Sequence, residues 1–66
     1  MQIIINGQPR ECDSGQTVAE LLTDLGLAEK RVAVERNGDL VPKSLHAEQA
    51  LADGDRIEIV HAIGGG

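Results

Sequence analysis

The period of the apolar positions changes along the chain, and each change marks an element. Met1 to Ile5 is an apolar, largely β-branched run that stops at Asn6-Gly7. Both central residues of a type I′ turn need φ > 0, so Asn-Gly between extended runs predicts a tight hairpin into a second strand over Gln8 to Cys12. Asp13-Ser14-Gly15 then breaks the strand pattern. From there the period becomes helical. Thr17-Val18-Ala19-Glu20 is a capping box, and Val18, Leu21, Leu22 and Leu25 follow at i, i+3, i+4 and i+7. Gly26 is placed to end that helix as its C′ residue. Alternation returns with Val32 and Val34 against Ala33 and Glu35, and Asn37-Gly38 predicts a second hairpin into Leu40-Val41. Pro42 closes that strand because it cannot donate to a ladder. Ser44 is predicted to cap a short helical turn carrying Leu45, and Asp53-Gly54-Asp55 to form a turn. The last strand runs from Arg56 to Ala62, with Ile57, Ile59 and His61 facing one way and Glu58, Val60 and Ala62 the other.

One helix and about five strands in 66 residues predict a two-layer α+β domain, with the helix covering one sheet face. Two tight hairpins around one crossover helix, completed by a late strand, describe a β-grasp, the ubiquitin-like fold. Its sheet is expected to be mixed. The expected division is a β-grasp domain over residues 1–63 and a flexible glycine tail over 64–66. Alternation puts Ile4, Ala33 and Val60 on the sheet face away from the helix.

Composition narrows the possible functions. The chain has no Phe, Trp or Tyr, so its core must be built from Ile, Leu, Val and Ala, and it lacks the stacking platforms that hold single-stranded nucleic acid. A net charge of −5 disfavours nucleic acid and anionic membranes and suits a basic protein partner. The single cysteine excludes an internal disulfide framework and a Cys-based metal site. Neither a signal peptide nor a membrane span is recognisable, which predicts a cytoplasmic protein.

Candidate chemistry within the domain is sparse. There is no nucleophile–base pair and no phosphate-cradling loop, and Gly64-Gly65-Gly66 opens no helix and so is not a dinucleotide fingerprint. Cys12, near the end of the second strand, reads as a half-buried structural thiol, with redox or acyl chemistry as the alternative. His46 and His61 pair on a metal only if the fold brings them together; otherwise they are structural or solvated, and no metal site is expected. Asp53 and Asp55 read as turn residues bonding backbone amides, with charged recognition a secondary role.

The chain ends Ile63-Gly64-Gly65-Gly66. A carboxylate is a poor electrophile until it is activated, for instance as an acyl-adenylate, and another protein must do that. Glycine lacks a Cβ and fits narrow clefts. Five residues from Ala62 to Gly66 can project about 16 Å. The functional reading is a probe that reacts through its own terminal carboxyl; the alternative is a frayed or engineered linker.

Met1-Gln2-Ile3-Ile4-Ile5, Gly15-Gln16-Thr17-Val18, Asn37-Gly38, Asp53-Gly54-Asp55 and Val60-His61-Ala62-Ile63-Gly64-Gly65-Gly66, in that order, resemble the sulfur carrier family of bacterial thiamine biosynthesis. The resemblance covers the whole chain; the third glycine departs from a pattern that usually ends in two. It implies that a ubiquitin-activating-like enzyme adenylates the terminal glycine, here Gly66, with ATP. A persulfide donor protein then displaces AMP, and the resulting thiocarboxylate delivers sulfur to a thiazole synthase. It further implies a carrier rather than an enzyme, with no bound cofactor and with ATP used by the partner. Ile63, Gly64, Gly65 and Gly66 would enter the partner's active site, and Ile4, Ala33, Val60 and Ala62 would form the docking face. Three alternatives stay open: a β-grasp carrier for molybdopterin or tRNA thiolation, a ubiquitin-like modifier, and a purely structural interaction domain.

Overall fold

The structure, a computed structural model, describes residues 1–61. Asn6 and Gly7 take φ of 49° and 82°, so the first turn is the type I′ turn that Asn-Gly favours. It joins β1 (Gln2–Ile5) to β2 (Gln8–Glu11) in antiparallel register, Ile5 opposite Gln8 and Gln2 opposite Glu11. The second turn repeats this geometry, with Asn37 at 52° and Gly38 at 90°, between β3 (Val32–Arg36) and β4 (Asp39–Val41).

Between the hairpins lies α1 (Val18–Asp24). The four amides at a helix start have no partner within the helix, and here each finds one. The Thr17 amide donates to Glu20 Oε1 and the Glu20 amide to Thr17 Oγ1, the reciprocal capping box. The Val18 and Ala19 amides donate to the Gln49 and His46 carbonyls, which ties the helix to the loop after β4. At the other end the Leu27 amide reaches the Leu22 carbonyl and the Gly26 amide the Thr23 carbonyl, with Gly26 at φ 75°. That pair of bonds is a Schellman motif, and it requires the left-handed residue that glycine supplies.

The last strand, β5 (Arg56–His61), enters the middle of the sheet. The order is β2-β1-β5-β3-β4, with β5 parallel to β1 and antiparallel to β3, so the sheet is mixed. This is the β-grasp arrangement, one helix on one face of a five-stranded sheet. The core is entirely aliphatic: Ile3, Val34, Val41, Ile57 and Ile59 from the sheet, Val18, Leu21 and Leu22 from α1, and Leu51 from the loop before β5.

One local expectation needs correction. The turn at Lys43–Leu45 is a 3-10 helix that starts from Pro42, not Ser44, and no side chain caps it. Pro42, extended at ψ 146°, ends β4 and turns the chain at once, which leaves Ser44 inside the turn. Leu25, the C-cap of α1, is half-buried and packs against the core, continuing the apolar stripe of Val18, Leu21 and Leu22 as the spacing predicts.

Candidate functional site

Everything that projects toward the C-terminus depends on β5, and its first residue is preceded by a locked turn. Asp55 is buried at 5% exposure. Its carboxylate accepts from Arg36 Nε at 2.7 Å, Asn37 Nδ2 at 3.0 Å and the Ala52 amide at 2.8 Å. Burial by itself pushes this carboxyl up. The hydrogen bonds from Arg36, Ala52 and Asn37, with the Arg36 charge, outweigh burial and hold it below the ordinary carboxylate value. Asp53 is exposed and accepts the Gln2 amide at 2.8 Å, so both acids bond backbone amides around the turn. The Arg36–Asp55 pair, nineteen positions apart, is absent from the sequence reading, because the pairing exists only once β3 and β5 are neighbours.

The sheet face away from the helix carries Ile4, Ala33 and Val60, all exposed, as alternation predicts. Register divides them. Ala33 sits opposite Val60, whereas Ile4 is level with Arg56, four positions earlier on β5 and about 13 Å away at strand spacing. Between the two levels, Glu35 lies directly opposite Glu58, a like-charge pair of the kind that costs stability in a sheet. The face is therefore two aliphatic spots separated by acidic charge. Leu40, 64% exposed and opposite Glu35, belongs to the same face and was missed. Asn37-Gly38 fixes that hairpin's register, so Leu40 could have been placed from the outward position of Glu35.

The remaining candidates separate cleanly. His46 is buried and its Nε2 lies 3.0 Å from the Val41 carbonyl, which only accepts, so the ring donates there in a structural bond. His61 is exposed at the end of β5, and among the described residues no group of three or more His, Cys, Asp or Glu could hold a metal ion. Cys12 is half-buried one residue beyond β2. Burial is the main cause that raises its thiol above the ordinary value; Glu11 and Asp13 add to this, while the N-terminal ammonium and Arg10 oppose it. A raised thiol is a poor nucleophile near neutral pH. No helix among the described residues is long and apolar enough to cross a membrane. Ala62, Ile63, Gly64, Gly65 and Gly66 lie outside the described residues.

Comparison with known proteins adds the functional frame. The model of the ThiS family matches residues 3–66. The chain is 39% identical over 66 residues to the sulfur carrier protein ThiS of Escherichia coli K12, covering all of both chains. It is 50% identical over 66 residues to a thiazole synthase of Paramagnetospirillum magneticum, of which it spans only a fifth. The crystal structure of the thiamine biosynthesis protein ThiS from Geobacter metallireducens superposes with a TM-score of 0.87 at 33% identity, covering all of both chains.

Proposed function

The chain belongs to the ThiS family, and from that premise we propose that it carries sulfur for thiamine biosynthesis on the carboxyl of Gly66. The observation that carries the proposal is the family match over residues 3–66, which takes in the glycine run as well as the folded domain. Identity with the E. coli carrier over its whole length supports the same reading.

The chemistry follows from what a glycyl carboxylate lacks. It must gain a leaving group before sulfur can replace oxygen. In a ubiquitin-activating-like enzyme, the Gly66 carboxylate attacks the α-phosphate of ATP, pyrophosphate leaves and an acyl-adenylate forms. The terminal sulfur of a persulfide then attacks the acyl carbon and expels AMP. A thiol of the partner resolves the acyl disulfide, leaving a thiocarboxylate on Gly66. Thioacids are ionised at neutral pH, so the product is a ready nucleophile. A thiazole synthase is the proposed acceptor, supported by two proteins of that name containing segments 50% and 44% identical to this chain.

The partners supply catalysis and ATP in this scheme, and the domain supplies presentation. Asp55 and its ligands fix the start of β5, Val60 and Ala33 with Ile4 and Ala62 meet the adenylating enzyme, and Ile63 to Gly66 enter its cleft. The absence of a Cβ on three consecutive residues suits a narrow channel.

Complementation tests the pathway directly. The chain should restore thiamine-independent growth to a bacterium lacking its own thiazole sulfur carrier, and a version without Gly65 and Gly66 should not. Rescue of a molybdopterin-synthase or tRNA-thiolation defect instead would move the assignment to another sulfur pathway.

A further inference from the structure

Hydrogen bonding along β5 stops abruptly on one side. The Ile4 amide donates to the Asp55 carbonyl and the Asn6 amide to the Ile57 carbonyl, both at 2.9 Å, so positions 55 and 57 face β1. β1 ends at Ile5, yet Ile59 is still satisfied: its amide donates to Asn6 Oδ1 at 2.8 Å and its carbonyl accepts from Asn6 Nδ2 at 3.1 Å. The side chain of Asn6 thus stands in for one more residue of strand. At the next rung the chain has already turned away through Gly7. His61 follows the same two-residue period, so its N–H and C=O point to that vacated side, where no partner occurs among the described residues.

The sheet's other edges are less inviting. On β2, the paired amides and carbonyls of Met1 and Cys12, with Ile5 opposite Gln8, turn Pro9 outward, and proline offers no N–H. β4 is three residues long. Short edges and proline are common protections against strand addition. The open rung at His61 has neither, and it is the one continuous with Ile63 to Gly66.

We propose that an extended strand of the adenylating enzyme adds to β5 at His61, on the side that β1 vacates. This rests on the sulfur-carrier reading above. An enzyme that holds Gly66 in its active site has its own chain within about 16 Å of His61, the reach of five extended residues. Main-chain pairing there keeps the segment leaving β5 extended and sets the direction from which Gly66 arrives. Recognition of this kind reads backbone groups first and side chains second.

Amide hydrogen exchange on the whole chain tests the pairing, with and without the adenylating enzyme and with no ATP present. The His61 amide should exchange fast in the free protein and become protected in the complex, while the Ile59 amide is protected in both. His61→Pro removes an N–H that has no partner among the described residues, so melting should be close to wild type. Its KM for adenylation should rise about tenfold, the cost of one buried unmade hydrogen bond. A chemically synthesised chain N-methylated at His61, which keeps the imidazole, should show the same rise. A complex that forms without protection at His61, or variants adenylated with wild-type KM, would overturn the inference while leaving the carrier reading intact. If His61→Pro unfolds, exchange on the wild-type chain decides. A wild-type chain that neither binds nor is adenylated sinks both.

Discussion

The two ends of β5 are built in opposite ways. At one end Asp55 is buried and three donors hold its carboxylate. Five residues on, Val60 is 60% exposed, and the next residue, His61, pairs only with β3 among the described residues. One strand is anchored at its root and open at its tip. A carrier needs that asymmetry, because the root must bear load against the core while the tip must be handed to another protein. Substitutions toward the root should therefore act on stability, and substitutions toward the tip on association.

The largest effect is expected in the core, on β5 and on the helix packed over it. Leu21→Asp or Ile57→Asp would bury an unpaired charge among aliphatic side chains with no compensating partner, since both are at most 1% exposed. A domain of this length has on the order of 3–10 kcal/mol to lose. Both variants should lose native chemical-shift dispersion. Retention of that dispersion in either would break the core assignment.

A smaller loss is expected at the root. Asp55→Ala leaves the Ala52 amide, Arg36 and Asn37 without their acceptor and should cost about 2–4 kcal/mol in urea unfolding. The sign of its pH dependence is fixed. Asp55 is held below its ordinary value of 3.8, so its contribution is complete above that pH and is lost as pH falls through the lower folded value. Wild-type stability should therefore drop on acidification below 3.8 more steeply than that of Asp55→Ala. Parallel curves for the two proteins would deny the Arg36–Asp55 pair its anchoring role.

How much of this was legible in the sequence depended on range. Both type I′ turns, the capping box and the Gly26 stop were readable because each is decided within a few residues by φ and by local hydrogen bonds. The exposed positions of Ile4, Ala33 and Val60 followed from alternation alone. What failed was long-range or sterically subtle. The bonds between Asn6 and Ile59 join positions 53 apart, and nothing local to either announces them. The insertion of β5 between β1 and β3, which splits the aliphatic face around Glu35 and Glu58, is a property of strand order. Ser44 misled because its capping propensity is real, but Pro42 had already begun the turn.

The smallest stability effects are expected on the open sheet face, at Val60 by the tip and at Ile4 level with the root. Val60→Glu and Ile4→Glu each replace an exposed side chain and should shift unfolding by no more than about 0.5 kcal/mol. Each should weaken binding to the adenylating enzyme about tenfold or more in titration calorimetry, since both add charge to a face proposed to dock. Unchanged affinity in both would shift docking toward Leu40 and the Glu35–Glu58 pair, and a large stability loss in Val60→Glu would erase the contrast between root and tip.

Intact-mass analysis of the chain after incubation with ATP, the adenylating enzyme and a persulfide donor bears most directly on the central claim. The mass should rise by one oxygen-to-sulfur exchange, fragmentation should place it on Gly66, and Cys12→Ser should not change it. A chain lacking Gly65 and Gly66 should stay folded and unloaded. Loading of that truncated chain, or loss of loading in Cys12→Ser, would contradict a carrier that works through its terminal glycine.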